Sequence, residues 1–209
     1  MIWDWNGTLL DDVACSVQSI NVVLGEFGLP EVPDLETYRS GFGWPARDYY
    51  ARLGFDVGPG GNFEAAATRY LSLFAEAVPD ARLQPNAVAA LETIRARGVR
   101  QVLLSATVEA TLHRQIAPHG VSSMFDEIFG TADAYTPSKA GIVRDWLAGS
   151  SLDAEEIVII GDTNHDHEIA AALGVRFIAY SLGHQRPPTP GGHQVIDDLA
   201  LVPGLLIGE

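Results

Sequence analysis

The first twelve residues, Met1 to Asp12, read MIWDWNGTLLDD and constrain the fold more than any other stretch. Met1 to Trp5 have the character of the end of a buried parallel strand. Asp4 stands where that strand stops, Gly7 lets the backbone turn, and Thr8 and two leucines lead into the acidic pair Asp11-Asp12. In open α/β sheets the ligand crevice lies at the carboxyl ends of the strands. A carboxylate there, with a glycine turn at once behind it, suits an exposed nucleophile or a metal ligand. Asp is also an ordinary turn former, so spacing alone leaves both readings open.

The rest of the chain divides by its periodicity. From Asp12 to about residue 80 it shows helices and no convincing strand. Val13, Val17, Ile20 and Leu24 share one face of a helix that Gly28 ends. Asp34 caps a short helix to Ser40, Pro45 opens another to about Leu53, and Phe63 to Val78 is a long one. From Pro85 the grammar becomes alternating helix and strand. Strands are expected over Val99–Leu104 (ending at Ser105), Asp126–Phe129, Glu156–Ile160 and Val175–Tyr180, with an edge strand at Val195-Ile196. Helices are expected over Asn86–Arg97, Val108–Pro118, Ser138–Ala148, His165–Leu173 and Asp198–Leu206, with a loop over Gly183–Gly192. Strands alternating with helices imply a parallel sheet with right-handed crossovers. The expected architecture is therefore α/β: a Rossmann-like core from residues 1–11 and 81–209, with an all-helical domain, 12–80, inserted after the first strand.

Composition narrows the partners. A formal net charge of −14 argues against nucleic acid and anionic membranes. No apolar run approaches the roughly 20 residues that span a bilayer, and no basic-then-apolar leader opens the chain, so a cytoplasmic protein is expected. Cys15 is the only cysteine, which excludes an intrachain disulfide and a cysteine zinc site. Lys139 is the only lysine, so any lysine chemistry must use it.

Four polar groups fall at corresponding places in this plan. Asp4 and Asp162 each end a strand, Ser105 ends another, and Lys139 lies early in a helix. Two carboxylates suit a hard cation such as Mg²⁺. A hydroxyl, an ammonium and helix N-terminal amides suit phosphate oxygens. Taken singly each has a bland alternative, a capping serine or a solvated lysine. Their joint order along the chain points to a site for phosphoryl transfer.

That order resembles the haloacid dehalogenase superfamily, and within it the phosphoglycolate-phosphatase-like hydrolases. Asp4-Trp5-Asn6-Gly7-Thr8 is similar to the first motif of that family, Leu103-Leu104-Ser105 to the second, Lys139 to the third, and Gly161-Asp162-Thr163-Asn164-His165-Asp166 to the fourth. Segment 12–80 sits where the family inserts a helical cap. The resemblance implies that Asp4 attacks phosphorus to form an aspartyl-phosphate. It implies Mg²⁺ held by Asp4, the main-chain carbonyl of Asn6 and Asp162, with Asp166 binding or orienting the metal's waters. It also implies that Ser105 and the Gly7 turn contact the phosphate and that Lys139 offsets charge. The substrate would be a small phosphorylated metabolite, with Phe42, Trp44 and Arg47 in the cap shaping its choice.

One position departs from the family pattern. Phosphatases of this kind carry a second Asp two residues after the nucleophile, and here that residue is Asn6. An amide hydrogen-bonds but does not transfer a proton near neutral pH. Slow turnover of alkyl phosphates is expected, with Asn6→Asp raising it. If another group supplies the proton, His165 and His184 are the candidates. Segment 12–80 holds no lysine, against the Schiff base of phosphonatases, and the paired acids Asp162 and Asp166 count against a metal-free dehalogenase. The alternative class is a phosphometabolite-binding or slowly turning-over regulatory phosphoprotein.

Overall fold

The computed structural model describes residues 1–132, 139–150, 152–187 and 192–206. Strand β1 (Ile2–Trp3) leads through a tight loop to β2 (Leu10–Asp11), which pairs antiparallel with β3 (Arg82–Leu83). Between the halves of this ribbon lie α1 (Val13–Glu26), α2 (Leu35–Gly41), α3 (Ala46–Arg52) and α4 (Phe63–Ala77). Beyond it come α5 (Ala87–Ala96), β4 (Val102–Val108), α6 (Glu109–Ile116), β5 (Glu127–Thr131) and α7 (Ala140–Gly149). The chain continues with β6 (Val158–Gly161), α8 (Asn164–Leu173), β7 (Arg176–Tyr180), β8 (Gln194–Ile196) and α9 (Val202–Leu205).

Six strands form one parallel sheet in the order β5-β4-β1-β6-β7-β8. Side chains alternate across a strand, and here the alternation separates two cores. Trp3, Leu103, Ile160 and Ile178 face one layer with Leu91, Ile94 and Leu112. Ile2, Leu104, Ile159 and Phe177 face the other with Val143 and Ile169. Burial on both faces is why the central strands read as nearly unbroken apolar runs. A third cluster belongs to the helical segment, where Ile20, Val23, Leu24, Tyr38, Tyr50 and Phe55 pack together.

Several elements differ from the sequence expectation. β4 starts at Val102 and runs on through Ser105 to Val108, because Val108 pairs with Thr131 of β5 after a register shift. β5 correspondingly runs to Thr131, not Phe129. Lys139 precedes α7 and is not in its first turn; Ser138, the expected start of that helix, lies outside the described residues, as does part of the expected loop Gly183–Gly192. The expected last helix from Asp198 divides into a 3-10 turn, Leu199–Leu201, and α9, with a proline in its first turn. The β2–β3 ribbon left no readable signal, since two residues cannot show a period of two.

Candidate active site

Register brings the sequence-separated polar groups together. Trp3 lies opposite both Leu103 and Ile160, so Asp4, Ser105 and Asp162 emerge at one edge of the sheet. The loop after β1 turns sharply. Gly7 adopts φ +78°, and a Cβ there would lie 2.3 Å from Asp162 Oδ2 and strain the backbone as well. Gly183 approaches Asp162 as closely from the other side, since a Cβ on it would also fall 2.3 Å from Oδ2. Thr8 Oγ1 donates to Asp162 Oδ1 at 2.9 Å, and the His184 amide donates to Asp162 Oδ2 at 2.6 Å.

Asp4, Asp162 and Asp166 are all buried, and each offers an oxygen within 4.8 Å of the others. Lys139, itself buried, lies among them. Its Nζ pairs with Asp4 Oδ1, with Asp166 Oδ1 at 2.7 Å, and donates to Leu104 O at 3.3 Å. The second oxygen of Asp166 accepts from the amide and hydroxyl of Thr163 at 3.1 and 2.6 Å, the capping box of α8.

The charges explain one another. Burial raises the Asp4 carboxyl well above the usual range; Lys139 opposes this and Asp166 and Asp162 add to it. Burial likewise pushes Asp162 up to about 6. Asp166 is the exception: burial would raise it, but the Lys139 ammonium holds it below its ordinary value. Burial disfavours the charge on Lys139 too, and Asp166 and Asp4 outweigh it. One ammonium among three buried carboxylates leaves negative charge uncompensated. An all-oxygen donor set with that excess fits a hard divalent cation. Asp166 differs from the other two in pairing with the ammonium of Lys139 through one oxygen and capping α8 through the other.

Asn6 is held at both ends of its amide. Its Oδ1 accepts from Thr107 Oγ1 at 2.8 Å and lies 3.5 Å from Ser105 Oγ. Its Nδ2 donates to Asp12 Oδ2 at 2.7 Å. Asp12 is fully buried, and its other oxygen takes the Gly7 amide at 2.7 Å and His184 Nε2 at 3.1 Å. Burial opposes protonation of His184, but Asp12 first and Asp162 after it hold the imidazole up to about 9. The Nδ1 of the same ring meets Tyr38 Oη at 2.9 Å, and a chain of hydroxyls continues through Ser16 to Tyr70 at 2.8 and 2.7 Å. Both ring nitrogens of His184 are thus engaged.

The helical segment closes over this edge. Trp44 stacks on His165 with centroids 4.7 Å apart, and Asn164 grips the Trp44 main chain through its side-chain oxygen and nitrogen at 2.9 and 3.0 Å. Burial pushes His165 down to about 4, so its ring is neutral. The Arg39 guanidinium clasps the main chain of Leu182 and Gly183. Beneath lies a cavity of about 190 Å³, bounded by Asp4, Asn6, Ser105 and Lys139 on the sheet side. Phe42, Trp44, Tyr70 and Phe74 bound it from the helices.

Most of the expected site residues therefore meet. Arg47 does not: its guanidinium lies over the Phe63 ring at 4.8 Å and bonds to Val57 O, away from the cavity. Ser105 reaches the cavity from within its strand. Sequence reasoning gave no role to Asp12 or Thr107, and it named Thr8 only as part of the first motif, without its bond to Asp162. Asp12 had a signal, as the second of two adjacent acids in the opening stretch, where it read simply as the start of a helix; Thr107 had none.

With this geometry in place, the chain matches the family of haloacid dehalogenase-like hydrolases over residues 1–180 and belongs to it. It is similar to the phosphoglycolate phosphatase of Rhodospirillum rubrum, 25% identical over 210 residues that cover 96% of this chain and 87% of that protein. It is also similar to the tyrosine-protein kinase PtkA of Mycobacterium tuberculosis, 27% identical over 188 residues, covering 89% of this chain and 63% of the kinase's length. Among solved structures, a haloacid dehalogenase-like family hydrolase from Streptococcus pneumoniae superposes with a TM-score of 0.80 at 22% identity, covering 98% of this chain and 96% of that one. No helix among the described residues is long and apolar enough to cross a membrane.

Proposed function

We propose that this hydrolase is a Mg²⁺-dependent phosphatase of small phosphate monoesters that works through an aspartyl-phosphate on Asp4. The observation that carries the reading is the buried Asp4–Lys139–Asp166 array, with Asp162 beside it, under an aromatic roof. In this reading residues 12–80 are the cap and residues 1–11 and 81–209 the core. Asp4, Asp162 and the main-chain carbonyl of Asn6 would hold Mg²⁺, and Asp166 would bind or orient its waters. When bound, that ion supplies charge stabilisation to the phosphoryl oxygens.

The chain's own groups do the rest. A carboxylate oxygen of Asp4 attacks phosphorus, the ester P–O bond breaks, and the leaving oxygen departs with its electron pair. Lys139 and Ser105 neutralise and hydrogen-bond the phosphoryl oxygens, while the Gly7 turn, its own amide taken by Asp12, brings the chain close against Asp162. Trp44 and Phe42 line the crevice from the cap side. Water later hydrolyses the Asp4 phosphate. The cavity of about 190 Å³ lies below the usual range of about 300–1,000 Å³ for ligand pockets and suits a substrate with few atoms beyond the phosphate. The phosphoglycolate phosphatases among its relatives agree with that size class.

Asn6 favours a second reading, in which phospho-Asp4 persists because no carboxylate at position 6 activates water. Phosphate release with Mg²⁺ from p-nitrophenyl phosphate, acetyl phosphate, glycerol phosphate and phosphoglycolate separates the two. Steady release, abolished by Asp4→Asn and by EDTA, supports the phosphatase. Stoichiometric labelling of Asp4 without turnover supports the phosphoprotein, and full activity in the chelated protein overturns both.

A further inference from the structure

Position 6 is defined by a partner that the motif pattern does not include. Three donors converge on the buried carboxylate of Asp12, and they divide cleanly between its oxygens. Oδ1 accepts from the Gly7 amide and from His184 Nε2; among the described residues Oδ2 accepts only from Asn6 Nδ2, at 2.7 Å. The side chain cannot turn without breaking the Oδ1 contacts, and His184 is anchored in turn by the hydroxyl of Tyr38 in α2. Asp12 therefore presents a fixed acceptor to position 6. Only a residue with a donor on that side fits. Asn6 has one, and its remaining oxygen is then aimed at the hydroxyl of Thr107.

We propose that Asp12 is a positioning residue that selects an amide at position 6. Residues 6 and 12 form an interlocked donor–acceptor pair in which Asp at position 6 is tolerated only when position 12 changes with it. The catalytic consequence rests on the phosphatase reading above; the structural pairing does not. In Asn6→Asp, two buried carboxyl groups would face each other, and at neutral pH they either repel or one is forced to take up a proton, which costs stability in both cases. In Asp12→Asn, two NH₂ groups would face each other, but the Asn6 amide can turn by half a rotation because the Thr107 hydroxyl accepts as readily as it donates. Exchanging both residues reverses the polarity and keeps every bond. The amide oxygen then present at position 12 would still take the Gly7 amide and the His184 ring. The amide nitrogen at position 12 would donate to the new carboxylate at position 6.

The test is a double-mutant cycle with native protein, Asn6→Asp, Asp12→Asn and the double exchange. Each is measured by thermal midpoint and by kinetics with Mg²⁺ on p-nitrophenyl phosphate and glycerol phosphate. Asn6→Asp alone is expected to lower the midpoint by roughly 2–12 °C, the effect of an unsatisfied buried acceptor in a chain of this size. Asp12→Asn is expected to lower it less. Contrary to what the sequence alone suggests, Asn6→Asp should also reduce kcat on p-nitrophenyl phosphate about tenfold or more, with KM changed less than about threefold. The double exchange should recover the midpoint and restore kcat, and it alone should gain on glycerol phosphate, because position 6 then carries a correctly held carboxylate. A purely structural role would restore the midpoint without that gain and would overturn the positioning claim. Additive midpoints in the double exchange, or an Asn6→Asp protein as stable as the native one and faster on glycerol phosphate, would overturn the pairing. If native protein and every variant leave both esters intact, the phosphatase reading fails, and the thermal cycle by itself decides the pair: coupling supports it and additivity overturns it.

Discussion

Replacing Lys139 by Met removes the ammonium among three buried carboxylates while keeping most of its bulk. Lys139 contacts Asp4 and, at 2.7 Å, Asp166, with both partners almost wholly buried. Removing one member of a buried ion pair costs about 3–5 kcal/mol because the partner is left charged and unpaired. In a chain of this length 1 kcal/mol corresponds to about 2–4 °C, so a fall of about 6–20 °C in thermal midpoint is expected at neutral pH without metal. The sign with pH follows from Asp166. Lys139 holds its folded value below the unfolded one, so its contribution is present above the unfolded carboxylate pKa and is lost as pH falls through the folded value. The gap between native and variant should therefore be widest near pH 7–8 and close as the carboxylates protonate. Circular dichroism melts from pH 4 to 8 in EDTA measure it, and Mg²⁺ should narrow the gap at neutral pH by restoring positive charge. A Lys139→Met protein melting within about 2 °C of native at pH 7.5 in EDTA would refute the reasoning.

Other outcomes follow from the same site. Mg²⁺ at about a hundredfold its dissociation constant should stabilise the native protein by about 2.7 kcal/mol, and Asp162→Asn should remove most of that response in a thermal-shift titration. His184 has a folded pKa raised to about 9, so its pairing with Asp12 stabilises fully below about 6.5 and is lost as pH rises through about 9. Melts between pH 6 and 10 should show that loss in native protein and not in His184→Gln. Gly7→Ala adds a Cβ 2.3 Å from Asp162 Oδ2 at a positive φ and should cost several kcal/mol, on the order of 2–4, read by urea unfolding. Native enzyme should hydrolyse p-nitrophenyl phosphate faster than glycerol phosphate by about 10²–10⁴, the worth of general acid help, with a burst of nitrophenol in stopped flow; equal rates would show that some other group delivers the proton.

Much of this protein was legible in its sequence because the signals are local. Strand-then-turn at Asp4 and Gly7, the change from helices to alternating helix and strand near Pro85, and acids four residues apart at Asp162 and Asp166 all lie within short windows. The chain's order of Asp4, Ser105, Lys139 and Asp162 also shows which groups a parallel sheet can gather at one edge. Three kinds of fact needed the tertiary structure. Whether Ser105 ends its strand depends on pairing with β5, which is not a property of its neighbours. Arg47 sits one turn from the aromatic loop in sequence, yet the helix aims it at Phe63, because direction on a helix depends on how the helix packs. Above all, the state of position 6 depends on Asp12, His184 and Tyr38, which are distant from one another along the chain. A sequence states that Asn6 is an amide. Only packing states which way that amide faces, because hydrogen-bond polarity is set by whatever the fold brings within about 3 Å.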